Sequence, residues 1–407
     1  MTQARASNLA IHGGEPLRAV PMPPRLALGP GERAMIEDAL AYYTGRGEDP
    51  GYQGHFEDRY TAAFVATMGG GVADAVSTGT AALYVALAAL ELPVGSEVLV
   101  SPITDPGTIN AIILNRLTPR LVDSAPDSYN VDAERVFARA GEGTRAIVVV
   151  HAAGQAAEIA EIAAEAHRRG LRVIEDCSQA HGARHQGRPV GAFGDIAAFS
   201  TMYRKAHITG GVGGVVYSPD VELGRRALAH ADRGKPRWRD DFDDRDPTGF
   251  LFPALNFHLD ELSCAIGIAS LARLEDTIRR RREFVADVAL RMAAESRTCA
   301  PYAHSADDSP FFLPILVDQG RLDCSKIEFA EAVRAEGIGL NPHYRYVVAE
   351  WPWVRSHLAD GFDCPNARDI RDRSFNLYLN ENYGARETKD IVRAMAKVEG
   401  HYARRIG

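Results

Sequence analysis

The chain predicts an α/β fold in two unequal parts: a large unit on a mainly parallel, mixed sheet sandwiched by helices, then a smaller α+β unit. Three observations predict it. Short apolar strand signals alternate with helical ones from about residue 72 to 220, and strands separated by helices pair in parallel with both faces covered. After about residue 220 that alternation gives way to a polar loop, a strong helix and a mixture of strands and helices. At 407 residues the chain also exceeds what one hydrophobic core usually serves. The expected division is an N-terminal arm over 1–35, a large unit over 36–255 and a small C-terminal unit over 256–407.

The elements follow in order. Residues 81–87 read as a buried helix opening at Thr78-Gly79-Thr80, and 97–100 as a strand. A helix starts near 108–114, and strands cover 120–123 and 145–151. Residues 157–169 place Ile159, Ile162 and Ala163 on one helical face, with Gly170 at the C-terminal cap. A strand over 171–176 ends in Asp176, and another spans 215–217. Residues 235–250 are polar, charged and hold two prolines, so they form a long loop. Residues 260–282 then read as one helix, whose run Arg279-Arg280-Arg281-Arg282 is expected on a solvated face. The small unit adds a strand at 311–317 and helices at 326–336 and 388–399.

Composition narrows the function. Hydrophobic residues make up 46% and charged ones 25%, the profile of a soluble globular enzyme. A net charge of −8 argues against non-specific nucleic-acid binding. The five cysteines are scattered without a CxxC pair, which suits free thiols in a reducing cytoplasm better than disulfides or a zinc site, and no metal is expected. Residues 1–18 lack the apolar core of a signal peptide, and no stretch has the length and apolarity of a membrane span. The expectation is a cytoplasmic protein without a membrane or nucleic-acid partner.

Asp176 is followed by Ser200, Lys205 and the glycine-rich turn 210–214. A carboxylate at a strand's carboxyl end points into the crevice where α/β sheets bind ligands. That order offers an anion for a pyridinium nitrogen, a hydroxyl for a phosphate and an amine for a Schiff base, the groups that pyridoxal 5'-phosphate (PLP) needs. Gly79, Thr80 and Ala81 suit a helix N-terminus, whose free N–H groups and dipole favour a phosphate. Each part has a plainer reading: Asp176 as a cap of the next helix, Ser77-Thr78-Gly79-Thr80 as an ordinary N-cap, and the glycines as room for backbone beside the lysine.

Several segments, in order and spacing, resemble the DegT/DnrJ/EryC1/StrS family of PLP-dependent sugar aminotransferases of fold type I. They include Gly13-Gly14-Glu15-Pro16, Ser77-Thr78-Gly79-Thr80-Ala81-Ala82, Tyr129-Asn130-Val131-Asp132 and His151-Ala152-Ala153-Gly154-Gln155. Glu175-Asp176-Cys177-Ser178-Gln179-Ala180-His181-Gly182, Gly194-Asp195 through Phe199-Ser200, Asn256-Phe257-His258-Leu259-Asp260-Glu261 and His343-Tyr344 complete them. The resemblance implies the following roles. Lys205 would carry the cofactor and move protons, Asp176 would pair with its ring nitrogen, and Gln179 would reach the ring or its hydroxyl. Gly79, Thr80, Ala81 and Ser200 would hold the phosphate. Asn256 would cross to the partner's cofactor, making the active unit a homodimer with shared sites. His343, Tyr344 and Arg345, with Arg237 on the 235–250 loop, are candidates for substrate binding. The donor would be glutamate or glutamine, and the acceptor a keto-sugar or keto-cyclitol in amino-sugar, polysaccharide or antibiotic biosynthesis.

Three departures from the family pattern leave questions. The lysine-to-glycine spacing is one residue longer than common, so aligning on the glycines puts Ala206, not Lys205, at the lysine position; the order Lys-x-His-x-Thr-Gly-Gly favours Lys205. Where the family stacks an aromatic ring on the cofactor, Ser101-Pro102-Ile103-Thr104-Asp105 leaves Ile103 or Asp105. His258 replaces a frequent arginine. Two other functions therefore stand beside transamination: a PLP-dependent sugar dehydratase, whose family branch uses histidine for the lysine, and a non-catalytic regulatory protein. His207 is read as a structural residue of the turn.

Overall fold

The computed structural model describes residues 8–404; residues 1–7 of the expected arm lie outside the described residues. In chain order the first half runs α1 (Pro30–Arg46), α2 (His55–Met68), β1 (Val72–Val76), α3 (Gly79–Ala89), β2 (Glu97–Val100), α4 (Pro106–Leu114), β3 (Thr118–Leu121), α5 (Ala133–Ala138), β4 (Thr144–Val150), α6 (Ile159–Arg168) and β5 (Arg172–Asp176). A small hairpin of β6 (Arg184–His185) and β7 (Arg188–Pro189) precedes β8 (Ile196–Ser200), β9 (Gly214–Ser218) and α7 (Val221–Ala231). Then come α8 (Glu261–Ala272), α9 (Leu274–Glu295), β10 (Cys299–Pro301), β11 (Phe312–Val317), α10 (Lys326–Ala335), β12 (Leu340–Asn341), α11 (Pro365–Arg373), β13 (Ser374–Tyr378) and α12 (Ala385–Tyr402).

Seven strands form one sheet in the order β1-β9-β8-β5-β4-β2-β3. β9 runs antiparallel to both neighbours, and the pairs β8–β5, β5–β4, β4–β2 and β2–β3 are parallel. Successive side chains of a strand face opposite ways, and the cores follow that rule. Val98, Val100 and Val148 join α3, α4 and α7 on one face, whereas Leu99, Ile147 and Val149 meet α5 and α6 on the other. Beside them Phe199, Val215 and Tyr217 pack with α1, α2 and α8. A second, antiparallel sheet of order β10-β11-β13-β12 shares a separate core with α9, α10 and α12. Residue 256 lies just ahead of α8, which packs beside the large sheet.

Two expectations need correction. Residues 260–282 are not one helix: the chain breaks at Arg273 (φ −100°, ψ 1°). Arg273 reaches back to Glu32 Oε1 (2.5 Å) and the Ala27 carbonyl (3.1 Å), tertiary contacts that outweigh an uninterrupted local helix pattern. The arginine run is likewise not one solvated face. Arg279 and Arg280 are exposed and pair with Asp276, but the helical period turns Arg281 inward, where it is 1% exposed. Residues 235–250 form the expected loop, with one short helical turn at Pro247–Gly249.

Candidate active site

The parallel strands β5 and β8 end side by side, and the loop after β1 starts α3 at the same edge of the sheet. Asp176, Ser200, Gly79 and Thr80 thereby line one cavity of about 230 Å³, together with Gln179 and Lys205.

At one end lies the α3 N-terminus. The Thr78 hydroxyl accepts the Ala81 amide (2.9 Å), while the Gly79 and Thr80 amides have no protein partner among the described residues. Ala81 thus departs from its expected role, because the N-cap already uses its donor. Gly79 touches the end of β8: a Cβ there would sit 2.5 Å from Ser200 Cβ and 3.0 Å from its hydroxyl oxygen. Ser200 is itself fixed from both sides, its amide donating to Ser178 Oγ (3.1 Å) and its carbonyl accepting from His181 Nε2 (2.7 Å). The glycine turn serves this end as well as the lysine loop, whose Tyr203 amide donates to the Gly211 carbonyl (3.4 Å). A Cβ on Gly214 would meet the Thr78 carbonyl at 2.4 Å and the Gly79 amide at 3.0 Å.

At the other end Asp176 is buried, 3% exposed. One of its oxygens accepts the Thr108 hydroxyl (2.9 Å) and the other the Ser178 amide (3.1 Å). Thr108 is braced in turn by Thr104 (2.7 Å). Neither threonine stood out in the sequence; their i, i+4 spacing across the start of α4 was the available signal. Gln179 accepts the Ala153 amide (2.9 Å) and lies beside the Tyr344 hydroxyl, on whose titration it acts.

Lys205 enters the cavity and Ala206 does not. Lys205 Nζ lies 4.5 Å from the centroid of the Phe311 ring. Burial lowers its pKa from the usual lysine range, and the Asp176 and Asp105 charges pull it back up. Ala206, 5% exposed, is not among the lining residues. Of the two residues left for the aromatic position, Asp105 lines the cavity, whereas Ile103 is buried and bridges to Val347. His207 is enclosed in the core, bonded to Tyr60 (2.6 Å) and Ser270 (3.2 Å), and burial holds its pKa well below the ordinary imidazole value.

Residues 47–396 match the DegT/DnrJ/EryC1/StrS aminotransferase family. The chain belongs to that family. Among curated relatives, the spore coat polysaccharide biosynthesis protein SpsC of Bacillus subtilis (strain 168) is 28% identical over 84% of this chain and 88% of its own length. L-glutamine:scyllo-inosose aminotransferase of Streptomyces griseus is 38% identical over 54% of this chain. The matches to three relatives above 30% identity, this one included, span only 52–61% of those proteins. Among solved structures, an aminotransferase from Psychrobacter cryohalolentis superposes with a TM-score of 0.86 at 25% identity, covering 94% of this chain and 100% of that one.

The family's aminotransferases depend on PLP, and the cavity fits that group. It has a cradle that a Cβ at Gly79 would close, two unpartnered amides and a hydroxyl at one end, and a buried carboxylate at the other. The remaining candidates lie away from the cavity lining. Asn256 is exposed, its side chain accepting the His258 amide (3.0 Å). His258 stacks on Tyr52 at 4.1 Å and sits 3.1 Å from Asp232. Arg237 is exposed and reaches the Gln53 carbonyl (3.4 Å). His343 contacts Lys326 (3.2 Å), and Arg345 is exposed. Tyr344 alone of that trio connects to the cavity, through Gln179.

Proposed function

We propose that the protein moves an amino group from glutamate or glutamine to the keto group of a sugar or cyclitol, in a cytoplasmic amino-sugar, polysaccharide or antibiotic pathway. The observation that carries this reading is the convergence of Lys205, Asp176 and the α3 N-terminus on one cavity of a family aminotransferase. When bound there, PLP would supply an electron-accepting ring that stabilises charge released at a substrate carbon. The chain's residues do the rest. The Gly79 and Thr80 amides and Ser200 would hold the phosphate. Asp176, steadied by Thr108 and Ser178, would pair with the ring nitrogen and keep it protonated. Lys205 would take the proton from the donor's α carbon and return it elsewhere, a task suited to an amine whose pKa burial lowers. The homologous relatives' substrates favour a sugar or cyclitol acceptor.

Asn256 would act from a second chain. It is exposed next to Leu255, itself 56% exposed, which suits a surface covered in a homodimer. An elimination reading has less support, because His207 is bonded inside the core. Borohydride treatment of the loaded protein tests the assignment: mass spectrometry should find the cofactor fixed to Lys205. Lys205→Ala should lose both the fixation and amino transfer from L-glutamine. Fixation at another residue, or transfer surviving in the variant, would sink the proposal.

A further inference from the structure

The loop carrying Lys205 forms no strand or helix of its own, yet three of its carbonyls converge on one side chain. Arg25, from the arm ahead of α1, donates through Nη1 to the carbonyls of Tyr203 (3.0 Å) and Lys205 (2.5 Å). Through Nη2 it donates to the Ala206 carbonyl (3.0 Å), and through Nε to Glu381 Oε1 (2.9 Å). Glu381 follows β13 of the second sheet and accepts Arg281 Nη2 on its other oxygen (2.8 Å). Burial alone would raise the Glu381 carboxyl, but the Arg281 and Arg25 charges hold it down at about 2, so the cluster stays charged. Arg281 also donates to the Pro310 carbonyl (3.3 Å), and the next residue is Phe311, whose ring lies by Lys205 Nζ.

The arm is itself pinned. Asn382 donates to the carbonyls of Pro24 (3.0 Å) and Arg25 (2.8 Å), and Asn380 donates to that of Pro23 (3.0 Å). Prolines 21, 23 and 24 restrict its backbone before Arg25. Leu26, directly after, takes a left-handed conformation (φ 46°) although 80% exposed. A strained residue with no burial to reward it points to a backbone directed by its neighbours.

We infer that Arg25 is a positioning residue for the reaction: its guanidinium clamps the Lys205 loop to the second sheet and so sets where the lysine amine stands. Only a planar group with five donors satisfies three carbonyls and a carboxylate together; a lysine ammonium has three donors. The inference rests on Lys205 being the cofactor lysine, and its test separates the two claims.

Cofactor-free protein is compared first. In Arg25→Met, amides 203–206 should exchange with deuterium faster than in the wild type, with distant helices unchanged. The pH at which the Lys205 amine becomes half-reactive to formaldehyde and cyanoborohydride should also move. In loaded protein, the L-glutamine half-reaction should slow by about 10–100-fold at saturation, the cost of misplacing a reacting group by about an ångström, with KM within about threefold. Guanidinium ion should restore part of the Arg25→Met rate, and Arg25→Lys should not match the wild type. If Arg25→Met does not fold, Asn382→Ala, which frees the arm and keeps every charge, should show the same changes at smaller size. Wild-type exchange and wild-type saturating rate in whichever variant folds would overturn the inference. A Lys205→Ala protein that still transfers amino groups would instead overturn the underlying assignment.

Discussion

Gly79→Ala is a direct test of the phosphate end of the cavity. The new Cβ would lie 2.5 Å from Ser200 Cβ, 2.9 Å from its Cα and 3.0 Å from its Oγ. Carbon atoms in contact prefer about 3.5–4.0 Å, so α3 and β8 must separate by roughly an ångström. β8 cannot yield readily, because β5 and β9 pair with it on both sides. The helix start must therefore retreat from Ser200. Overpacking of this kind costs about 1–3 kcal/mol, offset by about 1 kcal/mol of helix propensity on replacing glycine by alanine. The stability of the empty protein should thus fall by no more than about 2 kcal/mol. Cofactor binding should fall further. Each hydrogen bond to a charged group contributes about 1.5–3 kcal/mol, so losing even two weakens binding by at least two powers of ten. Absorbance titration of the cofactor-free protein gives the affinity, and melting with and without cofactor separates it from stability. Gly211→Ala, where a Cβ meets nothing within 4 Å, is the control in the same region. A Gly79→Ala protein that binds cofactor within threefold of the wild type would refute this account of the turn.

Three further outcomes are expected. Asp176→Asn should reduce the saturating rate of the L-glutamine half-reaction by about 10²–10³-fold, the usual cost of removing one electrostatic partner; a loss below tenfold contradicts its role. Glu57 on α2 and Asp74 on β1 share a buried hydrogen bond; burial first, then the Asp74 charge on Glu57 and the Asp232 charge on Asp74, raise the pair above the carboxylate range. Glu261 also raises Glu57, whereas Arg237 pulls Asp74 down, and both carboxyls face the Cys264 thiol. Stability from a raised carboxyl is complete below its unfolded pKa and is lost as pH rises through the folded one. Glu57→Gln, which mimics the protonated pair, should therefore melt higher than the wild type at pH 9, by about 1–2 kcal/mol, and equally at pH 5. Melting that shifts alike at both pH values contradicts the shared proton. On the acid side, burial lowers His181 to about 4 and holds His207 well below the ordinary imidazole value. Their contribution is complete above the ordinary imidazole pKa and lost as pH falls through the lowered values, so melting temperature should drop between pH 6.5 and 4; a flat profile there speaks against burial of the neutral rings.

What could be read from the chain differs by the range of the interaction. Strands such as Glu97–Val100 and the helix opening at Gly79 were legible because period and caps are local. The break at Arg273 was not, since its cause is an ion pair to Glu32, 241 positions away. The inward turn of Arg281 was hidden for the same reason: charge argued for water, while its partner Glu381 lay 100 positions on.

The same distinction explains the site. Asp176, Ser200 and Lys205 could be named because the first two end strands, and the third closely follows one, at the ligand edge of an α/β sheet. The residues that hold them were not nameable from motifs. Thr108 bonds Asp176 across 68 positions, and Arg25 bonds the Lys205 carbonyl across 180. The uncertainty between Lys205 and Ala206 was of this kind too. An extra residue before the glycines leaves two registers open in one dimension, and local propensity cannot separate them. In three dimensions Arg25 gathers the carbonyls on both sides of the choice, Ala206 turns into the core, and only the lysine reaches the cavity. The longer spacing is thus accommodated by a loop whose register depends on a distant guanidinium. That is why the arm belongs in any account of this site.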